Sequence, residues 1–166
     1  MSADISIVHM ILAEMSPIEC VAAVFGFICV VLTLKRNIWC WPAGLIQVTL
    51  YVWVFWQAKL YSDMGLHVIY IAMQFYGWWF WLKGGEDHGK PRVTLLSTPG
   101  RALWIASILG CTFALGWTMA THTDADLPYW DAATTILSLV AQYLMAEKKL
   151  ESWVLWICVD LLAIPI

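Results

Sequence analysis

The chain has 166 residues, is 61% apolar and 13% charged, and carries a formal net charge of −3. Soluble domains run to about 45–50% apolar and about 25% charged residues, so there are too few charges here to clothe a water-facing surface. Nine Lys and Arg, scattered over several loops, form no basic stripe, so nothing points to nucleic acid as a partner.

Residues 1–16 hold Asp4 and Glu14 but no cation, and no small-residue cleavage site follows. They therefore do not read as a secretory signal; residues 5–13 are expected to form a short interfacial helix. Beyond them, the intervals Arg36 to Lys59, Asp63 to Lys83 and Arg101 to Asp124 contain no charge. A hydrocarbon core about 30 Å thick takes roughly 20 residues of helix to cross. The expected spans are 17–34, ended by Lys35-Arg36; 38–58, with Pro42 in its first turn, where a missing N–H is tolerated; 64–82; 102–120; 130–146, ended by Glu147-Lys148-Lys149; and a last one from Trp153 onward. That last stretch is roughly 14 residues, about 21 Å of helix, which falls short of a bilayer core, so the chain is expected to be truncated. The longest loop, 83–101, is hydrophilic and contains Gly84-Gly85, Pro91 and Pro99.

Lys35, Arg36, Lys83, Lys90, Arg92, Arg101, Lys148 and Lys149 fall on one side of this arrangement and only Lys59 on the other. The positive-inside rule places the larger group in the cytoplasm and the N-terminus outside. A short internal repeat maps Lys35-Arg36 onto Lys148-Lys149 and, in the same register, Gln47 onto Asp160. Glu19 and Asp131, which open the first and fifth spans, then fall one residue out of step. Parallel repeats of this kind occur in secondary transporters.

No Gly-x-Ser-x-Gly, P-loop or dinucleotide fingerprint is present. The four histidines lack ligand spacing, and His122 with Asp124 and Asp126 reads as a surface-loop cluster; no metal or cofactor is expected. Cys20, Cys29, Cys40, Cys111 and Cys158 form no Cys-x-x-Cys pair and read as packing residues. What remains is the polar side chains inside the spans: Gln47, Thr49, Gln74, Thr134, Thr135, Gln142 and Asp160. A carboxylate within a span costs at least about 2.5–3.5 kcal/mol, so such a group faces a cavity or a partner. An interfacial place for Asp160 and interhelical bonding for the glutamines are the plainer alternatives. Trp39, Trp41, Trp78, Trp79, Trp81, Trp130 and Trp153 sit at span ends, where an aromatic belt belongs. Trp53, Trp56, Trp104, Trp117 and Trp156 do not, and rings beside buried amides suit a flat polar or cationic ring.

The motifs Asn37-Ile-Trp-Cys-Trp-Pro-Ala-Gly44, Lys59-Leu-Tyr-Ser-Asp63, Tyr76-Gly-Trp-Trp-Phe-Trp81, Trp130-Asp131, Leu137-Ser-Leu-Val-Ala-Gln142 and Glu151-Ser-Trp-Val-Leu-Trp156 followed by Asp160 resemble the PnuC-type nicotinamide riboside transporters, over roughly residues 17–166. The resemblance implies an all-α membrane protein with a SWEET-like 3+1+3 bundle of parallel repeats, about six of its seven helices being present. Residues 17–82 would form the first three-helix bundle, 83–101 a cytoplasmic connector, 102–120 the linker helix and 130–166 an incomplete second bundle. It implies facilitated diffusion of a vitamin across the bacterial inner membrane, trapped afterwards by a cytoplasmic kinase, with substrate held between the bundles. The family's Trp-x-x-Trp-x-x-x-Asn/Asp pattern falls on Trp153, Trp156 and Asp160, and its intramembrane amides on Gln47 and Gln74, with Gln142 alongside. Thiamine and riboflavin are the alternative substrates, a homo-oligomer is left open, and a non-transporting accessory protein is the remaining reading. A membrane enzyme would need a second catalytic group beside the one intramembrane carboxylate.

Overall fold

The computed structural model describes residues 16–83, 93–123 and 126–163. The expected interfacial helix at 5–13, the connector cations Lys90 and Arg92, and Asp124 lie outside the described residues. Six α-helices lie among the described residues: α1 (Pro17–Leu34), α2 (Cys40–Gln57), α3 (Tyr61–Lys83), α4 (Thr98–His122), α5 (Pro128–Ala146) and α6 (Glu151–Ala163).

The helix ends follow from local chemistry. Helix α1 opens on a capping box: the Glu19 N–H donates to Ser16 Oγ at 3.3 Å, the Ser16 N–H donates to Glu19 Oε2 at 2.6 Å, and Pro17 occupies the first helical position. Helix α4 starts at Thr98, before the apolar stretch at Ala102, because Ser97 Oγ accepts the Gly100 N–H and Pro99 fits the first turn. Helices α1, α2 and α5 all close on one turn type. The residues after their caps, Arg36, Lys59 and Lys148, take left-handed φ of 52°, 60° and 58°. The next N–H in each case, from Asn37, Leu60 or Lys149, returns to the carbonyl of Leu32, Phe55 or Leu144 at 2.9, 2.9 and 2.8 Å. This is the Schellman closure, which pairs carbonyls that lipid would leave unsatisfied.

These turns correct the register of the internal repeat. Arg36 corresponds to Lys148, not to Lys149, and the backbone hydrogen bonds that close the two turns agree. Lys35→Val31 matches Glu147→Tyr143, Arg36→Thr33 matches Lys148→Met145, and Cys40→Asn37 matches Ser152→Lys149. Glu19 and Asp131 thereby come into step, while Gln47 and Asp160 fall one residue apart. Neighbouring cations made the shifted alignment look equivalent in sequence; the left-handed φ separates them.

Burial runs opposite to that of a soluble protein. Much of the inside is small or polar: Ala22, Ala132, Ala141 and Ala146 are sealed, with Ser138, Ser152, Gln74 and Gln142, while Trp41, Trp81, Val48 and Leu144 are its large members. The outside is large and apolar, including Phe27, Leu103, Phe113 and Leu161. Within α1 the buried residue is Ala22, and within α4 it is Gly116. Lipid does not press apolar faces together, so helices in a bilayer associate through small residues and polar contacts while bulky side chains face the tails.

The chain divides into two compact units, Met1–Trp78 and Trp79–Ile166. In the first, α1 packs on α2, and α2 meets α3 where the Trp41 ring lies on Gly77, leaving no room for a Cβ there. Trp41 is 2% exposed and Trp81 8% exposed. Both therefore depart from the interfacial belt expected of them, because each indole fills a helix seam. In the second unit α5 packs against α4 and α6. The Tyr129 ring lies on Gly116, and Trp104 faces Tyr143 at 5.5 Å between ring centres.

Candidate substrate-recognition residues

In the first unit, Gln47 on α2 is half-buried and lies against α1 at Gly26. A Cβ at Gly26 would stand 2.6 Å from Gln47 Nε2, 2.9 Å from Cδ and 3.2 Å from Oε1. Gln74 on α3 is buried, with its amide against Gly44 of α2. A Cβ at Gly44 would meet Gln74 Nε2 and lie 3.0 Å from its Cδ and 3.1 Å from Cys29 Sγ of α1. Gly44 is thus where the three described helices of this unit converge.

In the second unit, Gln142 is buried on α5 at 5% exposure. Trp153 and Trp156 are half-buried on α6, and Asp160 is exposed towards its end. Their spacing sets all three along one stripe of α6. Gln47, Gln74 and Gln142 make no hydrogen bond among the described residues, and neither Gln74 nor Gln142 has an amide sealed from solvent. Buried polar atoms are nearly always paired, so amides that are buried yet open and unbonded are available to a ligand. By contrast Thr49 and Thr134 spend their hydroxyls on carbonyls of their own helices.

Two clusters went unanticipated. Tyr51, Phe55, His67 and Tyr70 form an aromatic group across α2 and α3, with Phe55 and His67 ring centres 4.8 Å apart. His67 Nδ1 lies 2.9 Å from the Asp63 carbonyl, which can only accept, so this nitrogen is the donor. Helical spacing of Tyr51 with Phe55 and of His67 with Tyr70 was the available signal. The second cluster clasps the segment before α4 to the turn before α6. Thr94 exchanges backbone bonds with Lys148 and Leu150 and accepts Lys149 Nζ on its hydroxyl at 2.9 Å. Glu151 Oε1 accepts from Leu96 N at 3.0 Å and from Arg101 Nε at 2.9 Å. Burial pulls the Glu151 carboxyl upward, but its own N–H, that of Leu96 and the Arg101 guanidinium outweigh this and hold it below its ordinary value. Nothing in the sequence pairs Thr94 or Arg101 with residues so far along the chain.

Residues 16–166 match the family model described as nicotinamide mononucleotide transporter. A nicotinamide riboside transporter PnuC of Neisseria mucosa is 36% identical over 154 residues, covering 88% of this chain and 57% of the relative. The Escherichia coli protein of the same name is 27% identical, covering 92% of this chain and 74% of its own length. A riboflavin/roseoflavin transporter RibM of Streptomyces davaonensis is 26% identical, over 95% of this chain and 73% of that protein. A crystal structure of the vitamin B3 transporter PnuC superposes with a TM-score of 0.77 at 34% identity, covering 98% of this chain and 71% of that one. The helices, the large apolar exterior and the extent of these matches agree: this chain belongs to the nicotinamide mononucleotide transporter family and has its all-α membrane transporter fold.

Proposed function

We propose that the protein mediates facilitated uptake of nicotinamide riboside across a bacterial inner membrane, with the N-terminus outside and no chemical step of its own. The observation that carries this is the pair of buried, unbonded, unsealed amides, Gln74 in one unit and Gln142 in the other, in a chain whose relatives bear the name of nicotinamide riboside transporters. An amide offers a donor and an acceptor to a carboxamide or to ribose hydroxyls. Gln47 adds a third amide, Trp153 and Trp156 supply faces for an aromatic ring, and Asp160 supplies a negative charge suited to a pyridinium. The vitamin is taken up by binding and release, and a cytoplasmic kinase is coupled only through consumption of the product. Riboflavin is the second reading, favoured by the match to the riboflavin/roseoflavin transporter.

Tryptophan fluorescence of the purified protein, titrated with nicotinamide riboside, riboflavin and thiamine, tests the reading. Saturable quenching by the riboside, with labelled riboside entering proteoliposomes down its own concentration difference and without an imposed ion gradient, is expected. Tighter binding of riboflavin would transfer the assignment to the second reading. Turnover of bound riboside into a new compound would replace transport by catalysis.

A further inference from the structure

Small residues at a membrane helix seam ordinarily bring two backbones together, and Gly77 does this for the rigid ring of Trp41. Gly26 and Gly44 differ. What fills the space above each is the polar end of a flexible side chain from the next helix, and no hydrogen bond among the described residues holds that end in place. At Gly26 the three nearest atoms to an added Cβ are all from the Gln47 amide: Nε2, Cδ and Oε1. At Gly44 the two nearest belong to the Gln74 amide and the third is Cys29 Sγ.

We propose that Gly26 and Gly44 are positioning residues for substrate recognition, each giving an amide the space in which it lies and so fixing where its donor and acceptor are presented. This rests on the transporter reading. A methyl group at Gly26 collides with the tip of a side chain that has three rotatable bonds, so the helices need not part. The amide swings aside instead, by a distance on the order of an ångström, and misplacement of that size is enough to spoil recognition. The two glycines would then act through Gln47 and Gln74, and each would be sensitive to the length of its partner side chain. An Asn draws the amide back by one methylene and leaves room for the methyl group.

Nicotinamide riboside affinity and thermal midpoint are measured together on the full chain for wild type, Gly26→Ala, Gln47→Asn and the double variant. Gly110→Ala is the control, since nothing lies within 4 Å of a Cβ there. Gly26→Ala is expected to weaken binding about tenfold with the midpoint little changed, Gly110→Ala to bind as wild type, and the double variant to bind as Gln47→Asn alone. The same pattern is expected at Gly44 with Gln74→Asn, with some loss of stability from the pressure on Cys29. Wild-type affinity in Gly26→Ala, or a double variant that carries both losses in full, would overturn the inference. If Gly26→Ala cannot be purified, the double variant decides: affinity equal to Gln47→Asn supports the role, and weaker binding or renewed failure to fold ends it. A folded wild type that ignores the riboside would remove the substrate reading and this inference with it, whereas a wild type that binds, with only the glycine variants silent, removes the inference alone.

Discussion

The Lys148 ammonium stands 3.5 Å from the centre of the Trp81 ring, and the same indole donates Nε1–H to the Ala146 carbonyl at 2.9 Å. One side chain from the end of α3 thus meets both a freed carbonyl at the end of α5 and the left-handed residue after it. A non-glycine residue in that conformation costs about 1–2 kcal/mol, and a desolvated cation–π contact returns about 2 kcal/mol. Arg36 and Lys59 adopt the same conformation while exposed.

The three left-handed cations should therefore respond differently to glycine. Arg36→Gly and Lys59→Gly are expected to raise stability by up to about 1 kcal/mol, by relief of backbone strain. Lys148→Gly is expected to give no gain or a net loss, because the ring contact goes with the side chain. Thermal midpoints in detergent check this; an equal gain at all three positions would deny the Trp81 contact any role.

Gly77→Ala is expected to destabilise the protein by about 1–3 kcal/mol, as overpacking against a rigid group does. The Trp41 ring occupies the space a methyl would need and cannot swing clear from a buried seam. Gly65→Ala, which meets nothing within 4 Å, should be neutral or stabilising by up to about 1 kcal/mol, the helix preference of Ala over Gly. Unfolding of the pair under identical conditions gives the comparison.

The clasp at Glu151 should weaken in acid. Its carboxyl is held below the ordinary value of 4.5 by N–H groups and Arg101, so the folded state favours the charged form. Its contribution is complete above about pH 4.5 and is lost as pH falls through the lowered value. Protection of the Leu96 amide, read as its hydrogen-exchange rate relative to the intrinsic rate at each pH, should fall on that acid limb. Glu151→Gln should already be less protected at neutral pH and show no further acid loss of protection; an unchanged acid limb of protection in the variant would assign it elsewhere.

Gln47→Ala and Asp160→Ala should each reduce riboside uptake at least about tenfold at equal expression, corresponding to one lost hydrogen bond of about 1.5 kcal/mol to a charged or polar group. Gln74→Ala should match them. Normal uptake in all three would dissolve the assignment of these residues to the pathway.

Much of the fold was legible along the chain because bilayer thickness imposes a length and a lack of charge on each crossing. The turns at Lys35-Arg36 and Glu147-Lys148-Lys149 were visible as cations closing apolar stretches, and Gln47, Gln74 and Gln142 stood out because amides are rare there. The register of the repeat was not legible, since adjacent cations cannot be told apart until one adopts a left-handed φ. Nor were the burial of Trp41 and Trp81, the glycine seats of Gln47 and Gln74, or the Thr94–Lys149 clasp.

Composition and hydropathy, then, committed these residues to lipid and to helices, because each requirement is local: a span must be long enough, uncharged and internally hydrogen-bonded. Which amide rests on which glycine, which indole leaves the interface for a seam, and which carboxylate holds a distant loop depend on pairs of residues brought together from different helices. Periodicity within one helix says which face a residue shares but not what that face will meet, so those choices waited on packing.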